Sequence, residues 1–145
     1  MSTQAPIILA VDTSDLELAK AWIAHTSEYV QVFKLGLEFF LNFGAQGVRA
    51  ITENSDAKIF LDLKLHDIPN TVAHAATSAE LLKPFFLTVH ASGGSEMIKA
   101  AVKSAPKTKI TAVTVLTSLS ENDVKAIGFA KDAMNTATDL ALLAV

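Results

Sequence analysis

The densest chemistry in the chain lies in the run Asp62-Leu63-Lys64-Leu65-His66-Asp67, where a carboxylate and an ammonium group stand two positions apart and a second carboxylate follows three residues on. In a β-strand alternate residues share a face, so Asp62 and Lys64 become neighbours about 7 Å apart at their Cα atoms. Asp67 then falls just past the strand end, in the loop above it. Lys34 occupies the matching place near the end of the preceding apolar run, VQVFKL. Two carboxylates and two ammonium groups gathered in one partly dry site hold one another ionised. Such a site sets a fixed negative charge beside a proton donor, which suits a reaction that makes a carbanion and then protonates it. A D-x-K pair also fits a solvated edge strand. Against that reading, the opposite face of the same segment, Ile59, Leu61 and Leu63, is uniformly apolar.

The other chemistry-bearing residues are more scattered. His90 closes an apolar run, where a lone histidine more often hydrogen-bonds a neighbour than binds metal. His25 falls on a helical stretch and is expected at the surface, while His66 and His74 have no metal-ligand spacing. No metal is expected. Gly93-Gly94 ahead of a helical segment is compatible with an anion cradle, but a tight loop is the simpler reading. Trp22 and the phenylalanines read as core.

The elements that must position these groups alternate regularly. Strands are expected at Pro6–Val11, Val30–Leu35, Lys58–Leu65, Phe85–His90 and Lys109–Leu116, the first of them buried on both faces. Helical stretches lie between them. One opens at a Ser14–Glu17 capping box, one runs from about Leu37 to Ser55 through Gly44 and Gly47, one opens at Pro69, and one follows Gly93-Gly94. A last helical region follows a second capping box at Ser118–Glu121. Five strand–helix alternations imply a parallel sheet with helical crossovers, an α/β fold.

Splitting the strands by period two gives one face that is apolar at the base and polar at the C-terminal end: Ile8, Ala10, Asp12; Val32, Lys34; Phe60, Asp62, Lys64; Phe86, Thr88, His90; Val113, Val115, Thr117. Polar groups at the same end of every strand match a (β/α)8 TIM barrel, whose chemistry collects at the C-terminal mouth. An open doubly wound sheet would place its ligand near one switch point instead, and the glycine fingerprint of dinucleotide binding is missing from VDTSD after the first strand.

Composition narrows the function class. The chain has 145 residues, no cysteine and a net charge of −3, so thiol nucleophiles, disulfide frameworks and cysteine–zinc sites are excluded. A mildly acidic chain has no electrostatic footprint for a nucleic-acid polymer or an anionic membrane. The start, MSTQAPIILAVD, carries no Lys or Arg, and its apolar run stops at Asp12, so neither a signal peptide nor a membrane span is expected and the setting reads as cytoplasmic.

The stretch Phe60–Val72, FLDLKLHDIPNTV, closely resembles the signature of the orotidine 5'-phosphate decarboxylase family in its bacterial branch. Supporting stretches LAVD (9–12), FKLGLEFF (33–40), VHASGG (89–94) and AVTVLTS (112–118) follow in the family's order and spacing. The resemblance implies a homodimeric (β/α)8 barrel that converts orotidine 5'-monophosphate to uridine 5'-monophosphate and CO2, without cofactor or metal, in pyrimidine nucleotide synthesis. It implies that Lys64 protonates C6 as CO2 leaves and that Asp62 lies beside the substrate carboxylate. Asp67 would be lent to the neighbouring subunit's site. Lys34 would complete the charged network and contact ribose; Asp12 and Thr71 would bind ribose hydroxyls, Thr71 across the dimer; Thr117 would read the pyrimidine edge. A sugar-phosphate lyase or aldolase of the same barrel type, with Glu38 as a possible metal carboxylate, and a non-enzymatic barrel fragment are the alternatives. The I-P-N-T run after Asp67 argues against the lyase. Barrels of this kind take about 200 residues or more. Residues 1–145 are therefore expected to hold the first five βα units of an incomplete barrel domain, ending on an uncapped DLALLAV and lacking the family's phosphate-binding arginine and closing loop. Such a chain is expected to be inactive or nearly so.

Overall fold

The computed structural model describes residues 5–53 and 55–145. Strands and helices alternate as β1 (Ala5–Ala10), α1 (Leu16–Thr26), β2 (Val30–Gly36), α2 (Leu37–Thr52), β3 (Lys58–Leu65), α3 (Pro69–Glu80), β4 (Phe86–His90), α4 (Ser95–Ser104), β5 (Lys109–Val113), α5 (Glu121–Ala126) and α6 (Ala133–Leu143), with a short 3-10 turn at Ala91–Gly93. The strands form one sheet in the order β1-β2-β3-β4-β5, each pair parallel. A doubly wound sheet reverses its strand order at a switch point. Here the order never reverses, and crossovers repeated in one direction place α1 to α4 on the same side of the sheet. This is the winding of a barrel wall, and it settles the choice between the two α/β architectures.

Burial follows the expected division of faces. On the helix side Val11, Phe33, Leu35, Leu61, Leu87 and Val89 are each 0% exposed. They pack against Ala19 and Ile23 of α1, Phe39, Val48 and Ile51 of α2, Val72 and Ala76 of α3, and Met97 and Ala101 of α4. Each fully buried Leu, Val or Phe side chain stabilises the fold by about 1.5–3 kcal/mol relative to exposure. On the other side Val32, Phe60 and Phe86 are half-buried, with Phe60 and Phe86 in edge contact at 5.4 Å between ring centroids.

Several local expectations require correction. The first strand is not buried on both faces: β1 is an edge strand, and Ile7 and Ile8 remain 54% and 45% exposed. Trp22 is exposed on α1 rather than part of the core. Helix α1 is capped by Asp15, not Ser14; the Asp15 carboxylate accepts from Glu17 N at 2.9 Å and Leu18 N at 3.0 Å. The second capping box is Ser120–Asp123, two residues beyond the expected one. In both places a second cap-forming residue stands beside the one expected, and side-chain cap geometry selects between them. Strand β5 ends at Val113, so Val115 and Thr117 lie in the following turn. Helix α2 ends at Thr52 with a kink at Gly44 (φ 55°, ψ −154°). Its expected extension toward Ser55 crosses Asn54, which, like residues 1–4 of the expected leaderless start, lies outside the described residues.

Pro69 starts α3 as expected, at a position where its missing N–H costs no helical hydrogen bond. The glycine pair works as a tight loop. Gly94 has φ 86° at the head of α4, and a Cβ on Gly93 would meet the Met97 Sδ. Among the described residues no helix is long and apolar enough to cross a membrane.

Candidate active site

The C-terminal ends of β1, β2 and β3 bring four charged side chains into one line. Lys34 Nζ lies 3.2 Å from Asp12 Oδ1 and 3.7 Å from Asp62 Oδ2, and Lys64 Nζ lies 2.8 Å from Asp62 Oδ1. Register explains the convergence. Ala10 pairs with Lys34, and Gly36 pairs with Asp62, so the three strand ends finish level. Gly36 lies beside the array: a Cβ there would make ordinary van der Waals contact with Asp12 Oδ1 and Lys34 Nζ, both at 3.6 Å.

Asp62 is the centre of the array, its side chain only 14% exposed against 62% for Asp12. Burial alone would raise the Asp62 carboxyl. Hydrogen bonds from Lys64 and Thr88, with the charges of Lys64 and Lys34, outweigh that penalty and hold it below the ordinary carboxylate value. The array thus keeps a carboxylate ionised in a poorly hydrated place, with an ammonium group in direct contact.

Thr88 of β4 belongs to this site, and the sequence reading did not single it out. It is 2% exposed, its Oγ1 donates to Asp62 Oδ1 at 3.0 Å, and it accepts the Lys64 backbone N–H at 2.8 Å. The available signal was a threonine on the mouth face within the apolar strand FLTVH.

The remaining expected residues stand apart from the ion-paired line. Asp67 is exposed at the head of the loop after β3 and accepts from Ile68 N at 2.6 Å. Thr71 is exposed on the first turn of α3, and Thr117 is exposed in the turn after β5. Glu38 is exposed in the first turn of α2, and among the described residues no group of three or more His, Cys, Asp or Glu side chains gathers as a metal site would require. His25 is exposed, as expected.

Beyond Lys64 the mouth continues into two imidazoles, His66 and His90, with ring centroids 5.2 Å apart. Burial pushes the His90 imidazole below its ordinary value, and the charges of His66 and Lys64 push the same way against a smaller opposing pull from Asp62. These rings border an open cavity of about 150 Å3 that is also lined by Thr114, Leu116, Leu119 and Phe129. A larger cleft of about 880 Å3 lies at the opposite ends of the strands, bordered by Lys20, Ile23, Val30, Ile51 and Asp56, away from every charged group of the array.

A family model described as orotidine 5'-phosphate decarboxylase / HUMPS family matches residues 5–144. An orotidine 5'-phosphate decarboxylase of Thermobifida fusca (strain YX) is 50% identical over 141 residues, covering 97% of this chain and 60% of that protein. One of Wolbachia pipientis subsp. Culex pipiens (strain wPip) is 44% identical over 141 residues, covering 96% and 62%. Among solved structures, the orotidine 5'-phosphate decarboxylase of Lactobacillus acidophilus superposes with a TM-score of 0.86 at 34% identity, covering 96% of this chain and 66% of that one. The chain spans about 60% of the length of the curated relatives it matches. With the family model matched from β1 to the end of α6, the chain belongs to the orotidine 5'-phosphate decarboxylase / HUMPS family.

Proposed function

We propose that the Asp12–Lys34–Asp62–Lys64 array is the reacting end of a site that decarboxylates orotidine 5'-monophosphate to uridine 5'-monophosphate. The observation that carries this reading is the half-buried Asp62 carboxylate in contact with the Lys64 ammonium at 2.8 Å, at the C-terminal mouth of a barrel wall. In the reaction the bond from C6 to the carboxyl carbon breaks, its electron pair stays on C6, and CO2 departs. Lys64 Nζ donates a proton to C6 and regains one from solvent. Holding that ammonium in place beforehand stabilises the charge as it develops, without reorganisation during the step. Asp62 fixes the Lys64 ammonium and faces the substrate carboxylate.

The other roles follow the same reading. Lys34 and Asp12 hold ribose hydroxyls at the outer end of the array. Asp67 and Thr71, exposed at the head of α3, serve the neighbouring subunit of a homodimer, and Thr117 reads the pyrimidine edge from the turn after β5. Residues 1–145 would then form the N-terminal part of an eight-stranded barrel domain, acting in the cytoplasm without cofactor or metal.

The test is ultraviolet measurement of orotidine 5'-monophosphate loss. Two proteins are compared: this chain alone, and this chain joined to the downstream part of the Thermobifida fusca relative so that it reaches the relatives' length. The joined protein is expected to turn over. The chain alone, whose inner face is open to water at Ile8, is expected to be inactive or nearly so. No turnover by a folded joined protein would overturn the assignment.

A further inference from the structure

Strand β3 departs from regular pairing at its catalytic end. Leu61 pairs with Leu87 and Leu65 with Val89, so Asp62, Leu63 and Lys64 all stand opposite the single residue Thr88. Two extra residues keep the period-two facing intact, so both charged side chains still point to the mouth. The same bulge puts Lys64 at φ 49°, the left-handed region that a residue with a long side chain seldom adopts. It also takes the Lys64 N–H out of the regular ladder with β4, and a poorly solvated N–H left unpaired is costly.

The Thr88 hydroxyl meets both needs at once. A hydroxyl has one proton to donate and two lone pairs to accept with. Here it accepts from Lys64 N at 2.8 Å and donates to Asp62 Oδ1 at 3.0 Å, the same oxygen that receives Lys64 Nζ at 2.8 Å. Backbone, hydroxyl, carboxylate and ammonium form a closed ring through residues 62, 64 and 88. We infer that Thr88 is a positioning residue, whose hydroxyl pins the strained Lys64 backbone and the Asp62 carboxylate so that the ammonium is aimed before substrate arrives. The catalytic consequence rests on the decarboxylase reading above; the geometric one does not.

The test uses this chain unmodified and as Thr88→Val and Thr88→Ser. Valine keeps the shape and removes the hydroxyl, whereas serine keeps the hydroxyl. Amide exchange followed by NMR should find Lys64 N–H protected in the unmodified chain and in Thr88→Ser, and exchanging about tenfold faster or more in Thr88→Val. The Asp62 carboxyl, followed by 13C NMR, should titrate higher in Thr88→Val than in the other two. The charged groups facing it are Lys34 from β2 and Lys64 from β3, with the titratable His90 from β4 nearby and Asp12 of the β1 end beyond Lys34. An unprotected Lys64 N–H in the unmodified chain would overturn the inference, whatever the folding of the variants. So would unchanged exchange and titration in Thr88→Val. In the joined protein, Thr88→Val should lower kcat by about tenfold or more while KM changes by less than about threefold, and Thr88→Ser should restore kcat. Equal losses in both variants would assign the effect to shape and overturn the hydroxyl's role. A joined protein without any turnover would remove the decarboxylase reading and leave the exchange and titration results to decide the positioning.

Discussion

Replacing Asp62 by Asn should destabilise the chain by about 2 kcal/mol at neutral pH, and the loss should shrink as the pH falls below about 4. Asp62 accepts from Lys64 Nζ at 2.8 Å and Thr88 Oγ1 at 3.0 Å, with Lys34 Nζ at 3.7 Å. A hydrogen bond to a charged group contributes about 1.5–3 kcal/mol, and breaking a fully buried ion pair costs about 3–5 kcal/mol. Two features reduce the cost here. Asparagine keeps one oxygen that can accept from either donor, and the side chains of Lys34 and Lys64, 24% and 31% exposed, regain part of their hydration. Between the values for exposed and buried pairs, about 2 kcal/mol remains. The folded Asp62 carboxyl lies below its unfolded value of about 3.9, so its contribution is complete above that value and is lost as pH falls through the folded one. Urea unfolding of both proteins from about pH 7 down to about pH 3 measures the gap directly. A gap that is absent at neutral pH, or that stays constant into acid, would refute the argument that the ionised carboxylate is what the site is built around.

Two further outcomes test neighbouring parts of the account. Phe33→Ala, at a side chain 0% exposed between β2 and its helices, should cost about 3–5 kcal/mol in urea unfolding, since the surrounding sheet cannot close the cavity. His90 should titrate below a free imidazole in NMR; Lys64→Met should raise its value and Asp62→Asn should lower it further, because those charges act on it in opposite directions. Its depressed folded value means that stability falls as pH drops below the unfolded imidazole value of about 6.5.

The parts of the fold that could be read from residues alone are those with a short-range physical cause. Apolar runs such as VQVFKL and KIFLDLKL mark strands because a strand under a helix layer must hide its side chains. The polar ends at Asp12, Lys34 and Asp62 mark the mouth because period two places them on one face. The level of those ends is a property of register, and it is register that turns a list of charged residues into a line of contacts within 3.7 Å. Thr88 escaped for the same reason. Nothing local to FLTVH says that three residues of the neighbouring strand will face it, and its role exists only once they do. Trp22 and the β1 side chains misled because large apolar residues also serve at surfaces and open edges, where partners are decided by the rest of the fold. Thr117 shares the mouth face only if β5 runs past Val113; where the strand stops, alternation no longer says which way a side chain points.

The most direct test of the central claim compares Lys64 with Lys64→Ala in the joined protein by single-turnover release of labelled CO2 from orotidine 5'-monophosphate. If the Lys64 ammonium held by Asp62 protonates C6, the substitution should lower the rate by at least about 10³-fold, the scale of losing both a positioned proton donor and a preorganised charge. Circular dichroism of the two proteins should coincide. Decarboxylation by a folded Lys64→Ala protein within about tenfold of the parent would contradict the claim that this ion pair is the reacting end of the site.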